Sequence, residues 1–109
     1  MEIKPTLAAA NAALRERRPA PASFEAFSAD CFRLAGLDPL NAGFYAMLGL
    51  LAKTFVEHHE GEPLTANVAD EAKSRLIGHA ERVAPTLALK PEAKLALLND
   101  LAHALVIGR

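Results

Sequence analysis

The chain predicts an all-α fold, a small five-helix orthogonal or up-down bundle around a central apolar helix, and three observations predict it. Every residue from Ala42 to Ala52 is apolar or glycine, Tyr45 included, between a starting Asp38-Pro39 and a closing Gly61. Val68, Ala72, Leu76, Ala80 and Val83 recur at the three-to-four-residue spacing of one helix face. Helix-start residues stand before each candidate segment: Thr6, Ser23, Asp38-Pro39, Thr65 and Pro91.

The first helix is expected over 6–18. Thr6 follows Pro5, which disfavours helix upstream, and its hydroxyl can cap. Leu7, Ala10 and Leu14 form a thin apolar stripe among alanines, which marks this helix as a lid or part of an interface. Arg15, Arg17 and Arg18 gather in its last turn, where positive charge suits the dipole. An extended connector, Pro19-Ala20-Pro21-Ala22, leads to a second helix over 24–35, capped by Ser23 and ended by Gly36. Phe24, Phe27, Cys31 and Leu34 share its inner face, and Phe32 stands to one side.

The central helix is expected over 39–60. Counting about 100° per residue from Phe44, residues Leu48, Leu51 and Phe55 fall on one side and Lys53, Glu57 and Glu60 opposite. Tyr45, Gly49 and Val56 make a second apolar strip, with small residues that admit a close neighbour. Gly61 supplies the left-handed conformation that ends the helix. A fourth helix follows over 66–84, capped by Thr65, carrying the Glu71–Arg75 pair and stopped by Pro85. The fifth, over 91–106, begins at Pro91 and buries Leu97, Leu98, Leu101 and Leu105. The last three helices are expected to form an up-down-up core with Phe24, Phe27 and Phe32 packed across it.

At 109 residues the chain is expected to be one helical domain, 1–109. Twelve Lys/Arg and thirteen Asp/Glu are spread along it, for a net charge of −1. No basic cluster invites nucleic acid or an anionic membrane. One cysteine, Cys31, rules out an intrachain disulfide and suits a reducing compartment. The opening MEIKPTLAAANAAL lacks the pattern of a secretory signal, and the central apolar run is too short to span a bilayer. The expected setting is a bacterial-type cytoplasm.

Phosphate loops, paired-cysteine zinc signatures, H-E-x-x-H and G-x-S-x-G are absent from the sequence. Arg33, Lys53, Arg75 and Arg82 fall on outer faces and only Lys94 on an apolar one, so no catalytic set and no cofactor is expected. The one chemical constellation is His58-His59-Glu60 with His79. In an antiparallel hairpin His79 lies opposite the middle of the central helix, roughly 20 Å from the histidine pair.

The run His58-His59-Glu60 resembles the signature of the hemerythrin-like cation-binding family, whose di-iron bundles draw histidines and carboxylates from several helices. The resemblance covers three residues and implies His58 and His59 as metal ligands. The H-x-x-x-E or E-x-x-H spacing of the partner helices has no counterpart here. A protonated histidine at a helix C-terminus is also favourable without any ligand.

The leading expectation is a non-enzymatic interaction module, an adaptor, regulator or accessory subunit. It would bind another protein or a second copy of itself through Tyr45, Gly49, Val56, Leu7 and Leu14. The alternatives are a histidine-based metal-binding bundle at His58 and His59, or a small all-helical enzyme.

Overall fold

The computed structural model describes residues 6–107, which leaves Pro5 and the first part of the stretch read for a secretory signal outside the described residues. Five helices follow one another as α1 (Leu7–Glu16), α2 (Pro21–Leu37), α3 (Ala42–His58), α4 (Ala66–Thr86) and α5 (Pro91–Ile107), with a 3₁₀ turn at Pro39–Asn41 leading into α3. The all-α bundle expected from the sequence is what forms.

Local chemistry explains most ends. Thr6 Oγ1 accepts from the Ala9 amide at 3.0 Å and Thr65 Oγ1 from the Val68 amide at 3.4 Å, capping α1 and α4. Gly61, with φ of 81°, is the only positive-φ residue among those described, and it turns the chain out of α3.

Helices α1 and α3 close at Glu16 and His58, two residues short of expectation, which leaves Arg17 and Arg18 beyond the last turn of α1, and four other ends differ in what sets them. Helix α2 starts earlier, because Pro21 occupies its first turn behind Ala20. Ser23 therefore does not cap it; its hydroxyl donates back to the Arg18 carbonyl at 2.6 Å. The same helix runs through Gly36 to Leu37, whose following amide, on Asp38, still reaches the Leu34 carbonyl. Asp38 caps nothing and instead accepts from Asn41 Nδ2 at 3.0 Å. Pro85 lies within the last turn of α4 and does not stop it. The Thr86 hydroxyl donates to the Arg82 carbonyl at 2.8 Å beside the position where proline removes an N–H.

The Cα envelope measures 41 × 39 × 18 Å, only about two helix diameters thick. One apolar cluster fills it, with Phe24, Phe27, Leu14, Leu48, Leu101, Val83 and Cys31 as its largest fully buried side chains. Helix α3 packs against α2, α4 and α5. Its most extensive partner is α2, whereas α4 and α5 meet only sparsely, so the last three helices are not the closed core expected of them.

The reason is the α2–α3 crossing. Ser28 Oγ, itself buried, donates to the Gly49 carbonyl at 2.8 Å. The Phe32 ring lies where a Cβ on Gly49 would stand, 3.1 Å away at its nearest atom. A glycine and a serine thus let two helices approach closely, and Phe32 closes the notch from the outer side.

Polar links fasten the periphery. Lys73 Nζ donates to the Arg15 and Arg17 carbonyls at 2.7 and 2.8 Å, and Arg15 pairs with Glu81, so the end of α1 is tied to α4. Arg82 reaches Asp100 at 3.0 Å, linking α4 to α5. Lys94 Nζ donates to Asn41 Oδ1 at 3.0 Å, which satisfies the one cation expected on an apolar face.

Candidate binding cleft

The residues expected to meet a partner are largely covered by the chain itself. Leu7 and Leu14 are buried where α1 packs on α2 and α4. Tyr45 and Gly49 are buried as well, and only Val56 of the five is half-buried. The second strip of the central helix is therefore closed by α2 rather than left for a partner. Burial, and then the neighbouring Asp38 carboxylate, pushes the Tyr45 phenol above its ordinary range. Sequence periodicity identifies these positions as apolar, but it does not show which element covers them.

The open apolar surface lies elsewhere. A cleft of about 580 Å³ runs between α3 and α4, with Phe24 of α2 at its floor and the end of α5 beside it. Leu51, Thr54, Phe55 and His58 line it from α3 at positions i, i+3, i+4 and i+7. Val68, Ala72, Arg75, Leu76 and His79 line it from α4 over a span of twelve residues, about 16 Å along that helix axis. Leu105, Val106 and Ile107 complete it, with Val106 83% exposed.

The aromatic residues form a continuous line at one end. Phe24 meets Phe55 at 4.9 Å between ring centroids, Phe55 meets His59 at 4.7 Å, and His59 meets His58 edge-on at 5.2 Å. These are tilted or edge-to-face packings of the kind that stabilise aromatic pairs. His59 thus sits half-buried against Phe55 at the margin of the core, with the exposed His58 beside it.

His79 shares this cleft with the His58–His59 pair. Among the described residues no group of three or more His, Cys, Asp or Glu side chains is placed to hold a metal ion. His103 faces solvent on α5.

Arg75 is exposed on α4, as expected, and from there it also borders the cleft while pairing loosely with Glu71 at 4.0 Å. Its spacing of +7 from Val68 and −4 from His79 is the signal that groups it with them. Val106 and Ile107 carry no such signal, since they join the cleft only through the way α5 comes to rest.

Cys31 is fully buried, and burial, with a smaller contribution from Asp30, pushes its thiol up to about 12. It is a core side chain that stays protonated. Among the described residues no helix is long and apolar enough to cross a membrane. No family model, curated protein or solved structure matches the chain.

Proposed function

We propose that the chain is a non-enzymatic interaction module, an adaptor, regulator or accessory subunit, and that it binds another protein by taking a helical segment into the cleft between α3 and α4. The observation that carries this reading is the form of the cleft. Two lining stripes in helical register face one another over an apolar floor, with Val68, Val106 and Ile107 exposed along it. Grooves of this form accept the apolar side of an amphipathic helix through anchors at i, i+3, i+4 and i+7. Exposed apolar side chains gathered along one groove favour a partner more than scattered ones do.

The flat shape of the molecule supports the same reading. In a body two helices thick, the outer side of each helix faces solvent, and along the cleft the exposed apolar side chains Val68, Val106 and Ile107 line one concavity.

The test uses Thr54→Arg and Val68→Asp, two changes at exposed lining positions that leave the core intact. Leu40→Asp, at an exposed site outside the lining, is the control. Proteins captured on the tagged chain from its native host are compared across these variants, and sedimentation is run on each chain alone. A partner lost with both cleft variants and kept with the control supports the reading. A partner kept by both cleft variants, or self-association lost only with them, sinks it.

A further inference from the structure

Resting on the reading of the cleft as a groove for a helix, we propose that the segment it takes is acidic: an amphipathic helix of two to three turns, from a different protein, with Asp or Glu beside its apolar anchors. Charge complementarity is the ground. The lining contains no carboxylate, and its ionisable groups are Arg75 and the imidazoles of His58, His59 and His79. Nearby carboxylates lie outside the lining. Glu71 pairs with Arg75 from an exposed position, and Glu57 and Glu60 are also exposed.

These groups are distributed along the groove. His58 and His59 stand at the end of α3, while Arg75 and His79 are one turn apart within α4. A free carboxylic acid of small size offers one negative charge and is best met by converging donors. A helix offers carboxylates one turn apart, and these match groups strung along its length.

A second copy of this chain does not fit as the occupant. Each helix turns its apolar stripe inward, from Leu7 and Leu14 in α1 to Leu97 and Leu101 in α5. Among the described residues, the exposed large apolar side chains within any one α-helix are not at i,i+3 or i,i+4 spacing, and the exposed Leu37 and Leu40 are split between α2 and the 3₁₀ turn rather than presented by one helix. The anchors that such a groove requires must come from elsewhere.

The experiment is a selection. A displayed library of amphipathic helices, with leucine fixed at i, i+4 and i+7 and the intervening positions randomised, is panned on the purified chain and on Thr54→Trp, which fills the groove without changing its charge. The expected result is enrichment of Asp and Glu beside the anchors on the wild-type chain only. The best helix should bind Arg75→Glu about tenfold more weakly. A repeat selection on Arg75→Glu should bring up Lys and Arg instead.

Enrichment of neutral or basic helices that still depends on Thr54 overturns the acidic occupant and leaves the groove reading standing. Failure of any helix to prefer the wild-type chain over Thr54→Trp overturns both. Titration with oleate is the arm for a free acid. Stoichiometric uptake lost in Arg75→Glu, with no helix enriched, assigns the groove to small carboxylates and overturns the proposal.

Discussion

The Ser28 hydroxyl donates to the carbonyl of Gly49 at 2.8 Å, joining α2 to α3 at their closest approach. Both residues are buried, and the Phe32 ring covers the glycine from outside. Gly49→Ala gains about 0.8–1 kcal/mol of helix propensity but must displace that ring, whose exposed side leaves it room to move. The two effects should nearly cancel. Gly49→Leu should cost about 1–3 kcal/mol through overpacking, and Ser28→Ala about 1 kcal/mol. Urea melts of the three variants check this; a Gly49→Leu chain as stable as wild type would show that the helices do not cross so closely.

Leu48 is wholly buried at the centre of α3, whereas Leu40 on the preceding turn is 90% exposed. Leu48→Ala should lower stability by about 2–5 kcal/mol, a large share of what a domain of this size possesses. Leu40→Ala should stay within about 0.5 kcal/mol of wild type. Thermal melts that rank the pair the other way would overturn the assignment of the core.

Lys73 gathers two carbonyls from the end of α1 and so acts as a strap across to α4. The link is exposed, so its contribution to global stability is small. Lys73→Met should therefore raise amide exchange in α1 several-fold while the melting temperature falls little. Uniform acceleration in all five helices would mean that α1 does not open as a separate unit.

The buried thiol of Cys31 sets an alkaline limit. Its pKa is raised in the folded chain from 9.0 to about 12, so the unfolded chain loses the proton first. Stability is full below pH 9 and declines as pH rises between 9 and 12, with Tyr45 adding in the same direction. Melting temperatures across pH 8 to 11 should fall more steeply for wild type than for Cys31→Ala. Iodoacetamide at pH 8 should label the thiol only after unfolding.

Helix starts and stops set by one side chain were legible in the sequence: the Thr6 and Thr65 caps, the Pro91 start and the left-handed Gly61. Those decided by competition between neighbours were less so. Pro21 outranks Ser23 as the start of α2, and Pro85 is tolerated because its cost falls on one hydrogen bond in a final turn. The apolar phase of α3 placed Phe44 and Leu48 inside. The cleft was hidden for a different reason. It depends on where α5 ends relative to α3 and α4, and helical periodicity contains no information about distance between helices. Arg75, read as a solvent residue, belongs to the cleft only once those three helices are in place.

Gly61 governs more than the end of one helix. The two walls of the cleft are consecutive in the chain and joined by residues 59–65, so their spread is set by a link of seven residues with a single left-handed joint. Any side chain at that joint makes its φ of 81° unfavourable and pulls the walls to a new angle. The aperture of the groove, and hence the girth of whatever enters it, is written in the tightest piece of backbone rather than in the side chains that touch the guest.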